Sequence, residues 1–420
     1  MEENGKEQSE FKTAWTKFLK FASLVLTVVI VGLQLFPPLY NKFSNTSYIK
    51  EFNKVQALED FDFMWGELEE NYPFFDEIQD AGLNYKEINK IYRDKIENED
   101  RINIKKFYSI VKENLDVYGG IGDLEIVSKE YFYAMENIGS YDIIYNEKYY
   151  SDLSEVVNSE KTNKTYFHMS MNNLLSYFRM RQGFNSSSAS FGWSKHSEDT
   201  LVLNIENPHQ FLDGFSEDIY GSEYLTYDLH DYKNIIINLK DNNSSSNSYW
   251  TDFLVSPLAN REYEYNLNVI AKDGEIAEEK IQKMDRKKEK LPSGDYLVSI
   301  SEKIEPYNSQ NYMGNIYLLV DEKSSNGLEN FAQFCKDTGF ATVIGRHTKG
   351  EPLDGLGYPR LSIFPNSGLI FQYKLGKIVD SSGEYITNNG VTPDVLVGDE
   401  EIVLNAALRY LGEEPVATQQ

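Results

Sequence analysis

Asn315–Gly350 reads NIYLLVDEKSSNGLENFAQFCKDTGFATVIGRHTKG. Its opening run, Asn315–Val320, is apolar and short enough for a buried strand. The turn Asp321–Asn326 is charged and then hydroxylated. Leu328, Phe331, Ala332 and Cys335 follow at i, i+3, i+4 and i+7, the spacing of one helix face. Gly339 stands where a helix C-cap glycine belongs, and Ala341–Ile344 returns as a second short strand. A strand that passes through a sharp turn into a helix can present a nucleophile and aim backbone N–H groups at a developing oxyanion. The stretch suggests a hydrolase.

The surrounding chain has 420 residues, a length for two or three domains. Its formal net charge of −25 leaves no basic face for phosphate and argues against nucleic acid as a partner. Acidity of this kind serves solubility. Tyrosine (30) and phenylalanine (24) are plentiful enough to build a large core. The single cysteine, Cys335, can form no intrachain disulfide and no Cys-rich zinc site, and its place on the apolar helix face makes it a packed small hydrophobe. No metal-ligand spacing and no phosphate loop is present, so neither metal nor cofactor is expected. Gly119-Gly120-Ile121-Gly122 is too short a match for nucleotide binding.

Near the N-terminus, Phe21–Phe36 (FASLVLTVVIVGLQLF) carries no charge, and the uncharged stretch continues through Tyr40. That suits a membrane-spanning helix of about 20 residues. Lys12, Lys17 and Lys20 precede it and favour a cytoplasmic N-terminus. The bulky exit FPPLYNKF offers no small-x-small cleavage site, which favours an uncleaved anchor over a signal peptide. The expected organisation is a cytoplasmic tail over 1–17, a transmembrane anchor over 18–40 and a polar linker over 41–57. A helical domain over 58–130, an irregular β or α+β region over 131–200, an α/β core over 201–412 and a tail over 413–420 follow. The protein would then be a single-pass plasma-membrane protein whose main domain is extracytoplasmic. Within the core, Leu201–Ile205, Asn234–Leu239 and Asn266–Ala271 read as strands, and 211–230 and 249–258 contain helices.

Several blocks in shared order resemble the tail-specific, or C-terminal-processing, serine peptidases, including the tricorn-core and interphotoreceptor retinoid-binding branches. FDFMWGELEENYPFF is similar to the opening of that family's helical region. YKNIIINLKDNNSSSNSYW is similar to its strand followed by D-x-R-G-N-x-G-G. IYLLVDEKSSNGLENFA is similar to the strand and nucleophile turn S-A-S-A-x-E. GFATVIGRHTKG, FPNSGLIFQY and NNGVTPDVLV are similar to its closing elements. The resemblance spans about Phe61 to Val397. It implies an α/β fold with a crotonase-like core and a helical N-terminal domain, and it implies extended peptides or unfolded protein segments as partners.

The resemblance also implies site residues. Anchored on Glu329, the nucleophile position falls on Asn326, a carboxamide. Asn326 reads as a helix N-cap, with Glu329 closing a capping box. A shift of one residue would make Ser325 the nucleophile, with Ser324 beside it. The family's histidine base falls on Asp123, a weak base for a hydroxyl at an ordinary carboxylate pKa. The lysine of the alternative branch falls on Glu351, with Lys349 two positions early, and His347 matches no family position. The glycines of the oxyanion loop are replaced by Asn242, Asn243 and Ser244–Ser246, while Gly327 retains one amide donor. The expectation is a catalytically degenerate family member that binds extended peptides or protein C-termini. The alternatives are an active serine endopeptidase using Ser325 and a non-catalytic structural or immunity-type surface protein.

Overall fold

The computed structural model describes residues 47–133, 135, 147–170, 190–206, 231–239, 243–244, 247, 250–307, 312–353, 356, 359–379 and 390–416. The segment expected to form the anchor and the helix expected within 211–230 lie outside these residues. Among the described residues, no helix is long and apolar enough to cross a membrane.

A six-stranded sheet carries the site. Its order is Val395–Leu396, Thr342–Gly345, Asn315–Val320, Asn234–Asn238, Thr200–Glu206 and Ser190–Lys195. Every neighbouring pair is parallel except the last, where Ser190–Lys195 runs antiparallel. Ile235 aligns with Ile316, and Leu318 with Val343. Buried strands need both faces covered, and side chains alternate between those faces. Leu203, Ile235, Ile237, Leu318 and Val343 enter one core with Leu328, Phe331, Ala332 and Cys335 of the helix Gly327–Thr338. Val202, Ile236, Tyr317, Leu319 and Ile344 enter another with Val403, Ala407 and Leu408 of the helix Val403–Tyr410. Cys335 is fully buried, and burial pushes its thiol well above the ordinary value, as befits a packing residue.

The helical part begins earlier than position 58. Lys54–Asn71 starts on Asn53, whose side chain accepts from Val55 and Gln56 while Gln56 reaches back to the Asn53 N–H. The helices Tyr85–Asn98 and Ile104–Asp116 follow, each capped by an asparagine, Asn84 and Asn103. Their core is not confined to the N-terminal region. It continues into a four-stranded antiparallel sheet (Gly376–Val379, Tyr263–Ala271, Tyr296–Ile304, Lys287–Lys290) and a three-stranded one (Glu125–Ile126, Ile370–Tyr373, Arg360–Ile363). Polar ties cross the same boundary. The buried Asp60 carboxylate accepts from the Asn366 and Ser367 N–H groups at 2.8 Å each, and Asn71 Oδ1 accepts from Ile276 and Ala277 at the start of the helix Glu275–Lys283.

The stretch 131–200, expected as an irregular β or α+β region, contains the helices Glu147–Asn158 and Glu160–Ser170, whose apolar sides (Leu153, Val156, Tyr166, Phe167) join the N-terminal core, and the strand Ser190–Lys195. The start of the expected tail is tied down: Glu413 accepts from the Ser197 and Thr200 hydroxyls, and Val416 N–H donates to Asn405.

Candidate active site

The turn after Asn315–Val320 is built by Asp321 and Ser324. Ser324 N–H donates to Asp321 O at 3.0 Å, and its hydroxyl accepts from Asp321 N–H at 3.1 Å while donating to Asp321 Oδ1 at 3.2 Å. Lys349 N–H donates to Ser324 O. Ser324 is fully buried, and its hydroxyl is part of the turn's frame. Ser325 is 3% exposed. Asn326 follows, partly exposed, at φ 56° and ψ −128°. A non-glycine residue in that region costs about 1–3 kcal/mol and persists where its surroundings over-determine it. The apex of this elbow therefore belongs to Asn326.

Two neighbouring stretches of backbone hold the elbow. Ser325 and Asn326 pair in parallel with Asn243 and Ser244. Asn326 N–H donates to Glu351 O at 2.8 Å, and Asn326 also bridges Pro352. Asn243 and Ser244 of the Asn/Ser loop expected near the oxyanion thus lie directly against the turn. Gly327 opens the helix, where a first-turn N–H has no partner within the helix.

The expected capping box does not form. Asn326 makes no side-chain cap, because its positive φ is incompatible with the extended backbone an N-cap uses. Glu329 instead faces away from the helix start and binds the loop opposite. Its carboxylate accepts from the Thr348 hydroxyl, from Gly350 N–H at 2.8 Å and from Glu351 N–H at 2.6 Å. Burial pushes Glu329 above the usual carboxylate value, against the pull of Thr348, the two amides and the Lys374 charge. Thr348 passes the chain of contacts on, its oxygen accepting from Val391 N–H at 2.7 Å.

Asp123 reaches the site through Lys374. Gly119, Gly120, Gly122 and Asp123 all have positive φ, and a Cβ on Gly122 would stand 2.5 Å from the Phe74 ring. This tight turn places Asp123 Oδ2 3.4 Å from Lys374 Nζ. The buried Lys374 also donates from Nζ to Pro352 O at 3.1 Å and from its backbone to Gly122 O at 2.8 Å. Lys374 therefore links the glycine turn to the loop that brackets Asn326. Its sequence signal was a lysine in the run Ile370–Leu375, where Gln372 is the one other polar residue. Lys349 pairs with Glu351 at 2.6 Å, and His347 Nδ1 lies 3.3 Å from the Thr392 hydroxyl.

Asp394, in the closing G-V-x-P-D segment, joins two elements of the core. Its Oδ2 accepts from Val343 N–H at 2.9 Å, and its Oδ1 from Lys336 Nζ at 2.8 Å.

A parallel sheet that feeds a strained elbow and a helix N-terminus, with a second loop laid beside the elbow, defines a serine-hydrolase type of scaffold. The sequence profile of Peptidase family S41 matches residues 216–397, which supports a likeness to the tail-specific peptidases over that stretch. Solved structures share the fold over most of the chain. A lipoprotein from Streptococcus agalactiae aligns at 14% identity and TM-score 0.50, over 85% of this chain and 96% of its own. A putative peptidase from Parabacteroides merdae aligns at 14% identity and TM-score 0.50, over 86% of this chain and 94% of its own. A mutant of CPAF aligns at 12% identity and TM-score 0.52, over 86% of this chain and 96% of its own. At such identities the likeness is one of fold.

Proposed function

We propose that this protein is a catalytically degenerate member of the family that binds extended peptides or protein C-termini. The carrying observation is the residue at the elbow. Asn326 occupies the strained apex, and a carboxamide is not an acyl-transfer nucleophile. The neighbouring hydroxyls are placed otherwise: Ser324 is bonded to Asp321 within the turn, and Ser325 is buried. At the position of the family's histidine, Asp123 carries a carboxylate paired with Lys374. In this reading the core is crotonase-like, Gly327 contributes an amide donor, and an extended peptide is held by backbone pairing of the strand-addition kind. The uncharged run within 18–40 anchors the chain in the plasma membrane, with the core on the extracytoplasmic side.

The test uses the full-length chain in detergent, a fluorophosphonate probe, unfolded protein substrates and fluorescent peptides with free or amidated C-termini. The expected result is no labelled serine, no cleavage and saturable peptide binding. Covalent labelling of Ser325, abolished by Ser325→Ala together with any cleavage, would return the protein to the active endopeptidases. Absence of both labelling and peptide binding would leave the structural or immunity-type reading.

A further inference from the structure

We infer that Asn326–Gly327 is a site of self-modification, at which the elbow drives asparagine through a cyclic imide to aspartate or isoaspartate. Three observations meet there. The residue after Asn326 is glycine, which places no side chain around the backbone nitrogen. Asn326 is partly exposed, so water reaches it. Its ψ is −128°. On the tetrahedral Cα, Cβ stands roughly 120° from the residue's own nitrogen, so this ψ nearly eclipses Cβ with the Gly327 nitrogen. Helical and extended ψ values swing that nitrogen well away from the side chain. The elbow thus holds the one backbone torsion that imide closure requires. The Glu351 carbonyl, the Asn243–Ser244 pairing and the Pro352 bridge fix it in place.

The chemistry balances with water as the only co-reactant. The Gly327 amide gives up its proton to solvent base, and its nitrogen attacks Asn326 Cγ. The N–Cγ bond forms, the Cγ–Nδ2 bond breaks, and ammonia leaves with a proton. Water then adds to either imide carbonyl and opens the ring to aspartate or isoaspartate. In sum, a carboxamide and water become a carboxylate and ammonium. The product carries a new negative charge at the elbow, and the isoaspartate form lengthens the backbone by one carbon. This inference is independent of any peptide-binding role.

The test is a time course of the full-length chain in mildly alkaline buffer, digested and read by mass spectrometry for a gain of about 1 Da at residue 326, with isoaspartate and released ammonia measured in parallel. A synthetic peptide spanning residues 323–331 supplies the rate for freely rotating backbone. Fixing the torsion and its neighbour in the reactive geometry is expected to make the folded chain convert on the order of tenfold faster than the peptide. Unfolding in urea is expected to bring the rate down to that of the peptide. A folded chain that converts no faster than the peptide, or that converts faster once unfolded, overturns the inference.

Discussion

Removing the Glu329 carboxylate tests how the elbow is held. Glu329 is 2% exposed, and its two oxygens take three donors from one loop: the Thr348 hydroxyl and the Gly350 and Glu351 amides. Glu329→Gln keeps the volume and one acceptor oxygen. In either orientation of the new amide, at least one donor then faces an NH₂ group. A buried donor left without an acceptor costs about 1–3 kcal/mol. Relief of carboxylate burial, the cause that pushes Glu329 upward, offsets part of this. Glu329→Ala leaves all three donors without acceptors and is expected to cost about 3–5 kcal/mol, about 1–3 kcal/mol for each unpaired buried donor less the relief of carboxylate burial. Urea unfolding at matched slope reads both values, with a midpoint shift for Glu329→Ala on the order of 1 M. The loss also reaches the elbow, because Glu351 O is the acceptor for Asn326 N–H. A Glu329→Ala protein within about 0.5 kcal/mol of wild type, the range of ordinary surface changes, would refute the clamp.

Asn326→Gly replaces a strained residue by one that tolerates positive φ. It is expected to stabilise the fold by about 1 kcal/mol, strain relief exceeding the added chain entropy; a lower thermal midpoint would count against the strain. Phe331 is fully buried and stacks on Trp250 at 5.3 Å, so Phe331→Ala should cost about 3–5 kcal/mol in urea unfolding, and a loss under 1 kcal/mol would show that this face is not core. For Asp394, burial pushes the carboxyl up, but Lys336 and the Val343 N–H outweigh it and hold it below its usual value. A depressed folded-state value gives stability that is present above the unfolded value, about 4, and lost as pH falls through the folded one. Asp394→Asn should therefore melt lower than wild type at neutral pH and converge with it in acid; a difference that does not change with pH would contradict the pairing.

The sheet and its covering helix were legible because period-two and period-3.6 patterns are written in single residues. Ile235, Ile236 and Ile237 alternate between two cores as a buried parallel strand requires. Gly339 closes the helix Gly327–Thr338 at φ 69°, its N–H donating to Cys335 O. The helices over 147–170 were hidden by polar and aromatic residues whose burial depends on distant partners. Thr165, for example, donates its hydroxyl to Ser367 O, 202 positions away. The site was legible in position but not in conformation. Asn before a helix most often caps it, and local propensity gives no sign that pairing with Asn243–Ser244 and Pro352 will force positive φ. Lys374 escaped for a similar reason: its meeting with Asp123 depends on the glycine turn and the strand Ile370–Tyr373 arriving together.

The supports of the elbow are separable from the chemistry that such an elbow can carry. Asn326 is held by a backbone acceptor on Glu351, by pairing with Ser244 and by the bridge to Pro352. Behind that loop stand Glu329, anchored to Thr348, Gly350 and Glu351, and Lys374, anchored to Pro352. None of these contacts uses the side chain of residue 326. In the proposed reading, a carboxamide at the apex replaces a nucleophile while the frame around it stays in place. The frame still imposes φ 56° and ψ −128° on whatever residue stands there. In a serine that conformation presents a hydroxyl to a substrate carbonyl. In an asparagine followed by glycine it brings Cβ nearly into line with the chain's own next nitrogen, the backbone geometry of imide closure. The same strain thus serves attack on a bound peptide in one case and attack within the chain in the other, and the residue at the apex decides between them.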